Sequence, residues 1–236
     1  MTNAPISRRR LLAGLTGGSA AALAGVALST GRSRAYTDTM PLRTEAIEGL
    51  VLDWRETYNG TVLEDSTAGT ATPTPSGSAI ALGNVLPGDA GSLSVRLRIE
   101  TDGSGGSDAP AVEPELTFSL TDGAESTAIR EFLDVAVWYD TGLLDVDALG
   151  SDNADRDPGE RLVHPDASGT FGEVAEALGD GVVLDASPNT PGASCLGADG
   201  AVTVTFGWAF PPNREGINAA QGETIEFDLE FDVTEC

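Results

Sequence analysis

The chain has 236 residues, 40% of them hydrophobic, and a formal charge of −24 from 37 Asp and Glu against 13 basic residues. All 13 are Arg, Lys is absent and there is a single His. This balance excludes nucleic acid and anionic membrane as partners, because their phosphates would repel the chain, and the regularly patterned hydrophobic content excludes disorder over most of its length.

At molar salt the Debye length falls to about 3 Å, so the self-repulsion of a polyanion fades. Carboxylates then hold water at the surface, and the missing Lys removes long apolar stems that would otherwise associate. An acidic, Lys-free chain is therefore expected to be salt-adapted; the alternative is an acidic protein of ordinary salt.

Residues 1–35 read as an export signal. Arg8 and Arg9, followed by Arg10, precede a mildly apolar Ala/Gly-rich run, Leu11–Ser29, and no Asp or Glu occurs before Tyr36. Paired arginines before a weak apolar run point to the twin-arginine route, and Ser33-Arg34-Ala35 offers small residues for cleavage after Ala35. The competing reading is an uncleaved anchor, but the run contains four glycines, a poor composition for a permanent span. Without the signal, 37 acids face 8 arginines, a net charge of −29.

The remaining residues, 36–236, are expected to form one acidic domain without an internal repeat. Strand signals run over Glu48–Trp54, Ser78–Val85, Leu93–Ile99, Glu115–Thr121, Phe132–Asp140, Val182–Leu184, Val202–Phe210 and Ile225–Val233. The clearest alternate strictly: Val202, Val204, Phe206, Trp208 and Phe210 face one way, Thr203, Thr205, Gly207 and Ala209 the other. Phe132–Asp140 is apolar on both faces and reads as central. Turn-rich stretches separate these strands, at Asp65–Gly77, Leu86–Asp89, Asp102–Asp108, Ser151–Glu160 and Ser187–Gly192. Only Thr170–Leu178 has helical spacing, through Phe171, Val174, Ala175 and Leu178 behind a capping Thr. The expected class is all-β: a jelly-roll-like β-sandwich with one short helix.

Four features carry candidate chemistry. Cys195 and Cys236 are expected to form a disulfide outside the cell rather than two free thiols. A hairpin of Ala201–Phe210 with Glu223–Glu235 would bring them together at its open end, and closing a loop of about 40 residues contributes on the order of 3–4 kcal/mol. Asp155, Asp157 and Glu160, in a stretch with Asp152 and Asn153, offer hard oxygen ligands for Ca²⁺, although Pro158 sits where an EF-hand has its turn Gly; the other reading is a solvated acidic loop. Asn59-Gly60-Thr61 is a glycosylation sequon in a turn, occupied or not. For catalysis the inventory is nearly empty: His164 precedes Pro165 in a polar loop, and neither an HExxH nor a GxSxG motif occurs. No enzyme and no cofactor other than Ca²⁺ is expected.

These residues resemble the TasA/camelysin-type secreted proteins of halophilic archaea that carry a SipW-type signal peptide. The likeness lies in Ala35-Tyr36-Thr37-Asp38-Thr39, although Thr37 replaces the family's Phe-Ser. It continues through the strand–Pro87-Gly88-Asp89–strand pattern over Ile80–Leu97, Val137-Trp138-Tyr139-Asp140, the acidic loop ending in Gly159-Glu160, Gly169–Asp185, and Phe206-Gly207-Trp208 through Phe227-Asp228-Leu229 to Cys236. The resemblance implies a jelly-roll subunit of extracellular filaments or matrix. There the segment from Tyr36 to about Ile47 of one subunit adds a strand to the next. The metalloprotease label given to camelysin-like proteins finds no zinc motif here. The residues alone leave a second reading open: a monomeric secreted module that holds a glycan or ion with the loops Asp65–Gly77 and Ser151–Glu160.

Overall fold

The computed structural model describes residues 50–65, 80–83, 85–99, 111–120, 128–141, 153–188, 194–198, 200–221 and 223–236. The expected signal with Arg8, Arg9 and Ala35, the donor segment Tyr36–Ile47, Asp152 and the loops Asp102–Asp108 and, beyond Asp65, Asp65–Gly77 lie outside them.

Chain order begins with strands β1 (Leu50–Tyr58), β2 (Thr61–Asp65), β3 (Ile80–Gly83), β4 (Ala90–Ile99) and β5 (Val112–Leu120). A helical turn α1 (Ile129–Phe132), β6 (Asp134–Tyr139), β7 (Ser168–Thr170), helix α2 (Phe171–Leu178) and β8 (Val182–Val183) follow. The chain closes with β9 (Ala201–Ala209), a 3-10 turn over Ile217–Ala220 and β10 (Thr224–Glu235). Two antiparallel sheets result, a six-stranded one in the order β2-β1-β4-β9-β6-β7 and a four-stranded one in the order β3-β10-β5-β8. Apart from the short β2 and β7, which pair with the preceding strands β1 and β6, successive strands change sheets at every step. The molecule is an all-β sandwich with one short helix of more than a single turn, as the period-two alternation predicts.

Phe206 from the six-stranded sheet meets Phe118 and Phe227 from the four-stranded sheet, and these two in turn meet Phe171 from α2, with ring centroids 5.0–5.7 Å apart. All four rings are fully buried. Burial of each contributes about 1.5–3 kcal/mol and each tilted or edge-on pair a further 0.5–1.5 kcal/mol or so. Helix α2 closes this cluster with the capping signal read from sequence. Thr170 Oγ1 accepts from the Glu173 N–H, the Glu173 carboxylate accepts from the Thr170 N–H, and Phe171, Val174, Ala175 and Leu178 are buried.

One pairing differs from expectation. β9 and β10 do not form a hairpin: β9 lies between β4 and β6, and β10 lies between β3 and β5 in the other sheet. Pro211 and Pro212 follow β9 after Phe210, and the connection then makes the 3-10 turn, so it crosses to the opposite sheet instead of folding back. β9 is buried on both faces from Val202 to Phe206, whereas β10 keeps one wetted face. The cysteines meet nonetheless, with Cα atoms 6.3 Å apart in a Cys195–Cys236 disulfide. What brings them together is β5, whose first residue, Val112, pairs with Leu196 on one side and Glu235 on the other. The Cys236 N–H donates to the Ala111 carbonyl 2.8 Å away.

Candidate functional site

A groove of about 370 Å³ crosses the outer face of the six-stranded sheet. Its floor follows from register: Thr57, Ser92, Gly207, Ala136 and Ser168 stand side by side on β1, β4, β9, β6 and β7. One residue pair further along, Trp138 lies against Gly207 so closely that a Cβ there would come within 2.6 Å of the indole ring. On the opposite face Trp208 packs against Gly91 in the same manner, a Cβ there falling 2.9 Å from the ring. The glycines of β4 and β9 thus give each indole a flat bed, and the groove is what remains above the small residues.

The rim is the acidic loop together with Asp134, which pairs with Arg214 at 3.1 Å. Ala154, Asp155 and Arg156 border the groove beside Trp138, which is only 4% exposed although it belongs to the outer face. The loop is held down by carboxylates. Asp140, itself buried, accepts from the Ala154 N–H at 2.8 Å and the Thr205 hydroxyl at 3.2 Å. Asn153 Oδ1 accepts from the Asp155 N–H and its amide donates to Asp157. Buried Glu160 spans the base, accepting from the Thr141 N–H with one oxygen and the Asp157 N–H with the other. These bonds hold Ala154 at φ +68°, a conformation that side chains other than Gly and Asn rarely adopt. Trp138 Nε1 is enclosed without a hydrogen-bond partner.

The three calcium candidates are therefore placed on one loop but in different surroundings. Asp155 is exposed, Asp157 half-buried and Glu160 buried with both oxygens accepting backbone N–H groups. Among the described residues no group of three or more His, Cys, Asp or Glu side chains converges on a common point. His164 lies apart, its Nδ1 accepting from the Asp166 N–H at 3.2 Å.

Two further features gather polar groups. Behind the loop, Tyr139 accepts from the Asp185 N–H at 2.7 Å while Arg161 pairs with Asp185 at 3.0 Å and covers the Tyr139 ring. Burial pushes the Tyr139 phenol above its ordinary value. At the other end of the sheet, Asn59 and Gly60 connect β1 to β2 with positive φ at both positions, 48° and 72°. That is the primed type I hairpin turn favoured by an Asn-Gly pair. The Asn59 amide donates to Asp89 Oδ1 at 3.1 Å.

No protein-family model matches the chain, and no characterised protein or solved structure is detectably similar to it. The loop and four of the five strands that carry the groove are legible in the sequence, whereas β7, which supplies Ser168, is not. Nor is the groove itself, because Gly207 and Ala136 signal a floor only once Ser92 and Ser168 are known to stand beside them.

Proposed function

We propose that the chain is an extracellular structural protein, exported by the twin-arginine route and suited to high salt, that builds surface filaments or matrix by β-strand donation. The observation that carries this reading is the edge of the six-stranded sheet. Among the described residues, β2 pairs only with β1 and leaves Val62 53% exposed. An edge strand offers backbone N–H and C=O groups to an incoming strand, and an apolar side chain there favours such addition. The donor in this reading is Tyr36 to about Ile47 of a second copy, and no catalytic role is assigned. The resemblance to TasA/camelysin-type proteins points the same way.

Val62→Lys tests the edge without touching the core, because charge on an edge strand opposes pairing. The variant is expected to melt as the wild type does yet fail to assemble at high salt. Assembly equal to wild type, seen by electron microscopy, overturns the assignment of β2 as the acceptor.

The groove favours a second reading, a monomeric glycan- or ion-binding module. Its hydroxyls, its indole and its charged rim would suit a polyhydroxylated ligand. Sedimentation as monomer at all concentrations, together with saturable binding that Arg156→Ala weakens, would select this reading over the first.

A further inference from the structure

The Asn59-Gly60 turn is joined to the rest of the sandwich by the side chain of Asn59 and by the buried carboxylate of Asp89, 4% exposed. Asn59 Oδ1 accepts from the Ala90 N–H at 2.9 Å, and its amide donates to Asp89 Oδ1 at 3.1 Å. The other oxygen of Asp89 accepts from the Tyr58 hydroxyl at 2.6 Å and the Leu86 N–H at 2.8 Å. The Asp89 backbone carbonyl accepts from the Phe210 N–H at 2.8 Å, so the clasp ties β1, the turn before β4 and the end of β9 together. Gly60 lies in the open, with nothing within 4 Å of where its Cβ would be.

We propose that Asn59-Gly60 is a self-modification site, held unreactive by this clasp, whose deamidation opens this end of the sandwich. In the reaction the Gly60 backbone nitrogen loses its proton to base and attacks Asn59 Cγ. A new N–C bond forms, the Cγ–Nδ2 bond breaks and ammonia leaves. Water then opens the cyclic imide to an aspartyl residue or its β-linked isomer, with no net oxidation or reduction. Gly60, lacking a Cβ, leaves its nitrogen unhindered. In the folded chain both atoms of the Asn59 amide are engaged, which keeps Cγ from the Gly60 nitrogen. The reaction therefore proceeds through opened molecules, at a rate scaled down by their population.

The product explains why the clasp matters. A carboxylate at the exposed position 59 loses the donor to Asp89 and sets a second negative charge about 3 Å from the buried Asp89 carboxylate in an already acidic chain. Opening is thereby made permanent: a molecule that has converted cannot re-form the native clasp.

The experiment ages the full chain under mildly alkaline conditions, folded in molar salt and unfolded in urea, and follows amide loss at Asn59 by peptide mass spectrometry. About tenfold or slower conversion in the folded sample is expected. Equal rates in the two samples overturn the proposal. Separately, Asn59→Asp should lower the melting temperature, and adding Asp89→Asn should restore part of it. The amide introduced at position 89 can donate to the new carboxylate, while its oxygen still accepts from Tyr58 and Leu86. An Asn59→Asp chain that melts as the wild type does overturns the proposal, as does a double variant without rescue.

Discussion

Gly207 shows how a single missing Cβ shapes this molecule. It lies mid-strand, where glycine ordinarily weakens a sheet by leaving nothing to pack. Here the absence is filled by the Trp138 indole from the neighbouring strand. Gly207→Ala should therefore cost about 1–3 kcal/mol through overpacking. Denaturant unfolding would measure the loss, and a shift in tryptophan emission would report displacement of the ring. A stability within error of wild type would mean that the indole has another place to go. The role of Gly207 was hidden in the sequence, where Phe206-Gly207-Trp208 reads only as an alternating strand with a small outward residue. Asn59-Gly60-Thr61 was ambiguous for a related reason: the same three residues spell a sequon and a hairpin turn, and the pairing of Tyr58 with Thr61 is what reveals the turn.

At the scale of elements, the longer strands and helix α2 followed local signals, whereas the short β2 and β7 and the choice of strand partners did not. Helix α2 begins where Thr170 and Glu173 place it, since a capping box is a contact between residues three apart and is wholly written in the sequence. Thr170→Ala should destabilise the protein by about 1 kcal/mol. The Glu173 carboxyl is held below its ordinary value, first by the Thr170 backbone N–H and then by the Thr170 hydroxyl. A carboxyl with a lowered folded value contributes stability that is present above its unfolded value and lost as pH falls through the folded one. Acid titration of stability should show this loss in the wild type and a smaller loss in Thr170→Ala; identical acid limbs would contradict the capping role.

The expected β9–β10 hairpin failed because alternation shows that a strand has one buried face but not which sheet receives it. Pro211-Pro212 was the signal available, and it marks a crossing rather than a tight turn. The disulfide came out as expected on a different scaffold, across the start of β5. Reducing it releases a constraint over a separation of 41 residues, and should lower stability by about 3–4 kcal/mol, measurable by denaturant unfolding with and without reductant. A loss near zero would show that β5 and β10 hold the C-terminus without it.

For the whole molecule, charge and architecture bear on the same question. The chain carries 37 acids with only 13 arginines to offset them, so repulsion among the carboxylates should govern stability when screening is weak. Transfer from molar to millimolar salt should lower the melting temperature markedly, and an unchanged value would contradict salt adaptation. The composition made this expectation legible at once, as the strand periodicity did the all-β class, because both are sums over many residues. Assembly is different. It depends on which edge is left open and on what reaches it, and periodicity cannot supply either. The measurement that bears most directly on the proposed role is electron microscopy of the protein beginning at Tyr36, in molar salt, beside a form lacking Tyr36–Ile47. Filaments of the longer form and none of the shorter are predicted; filaments that persist without the segment, or monomers alone in both, would contradict strand donation as the way this protein works.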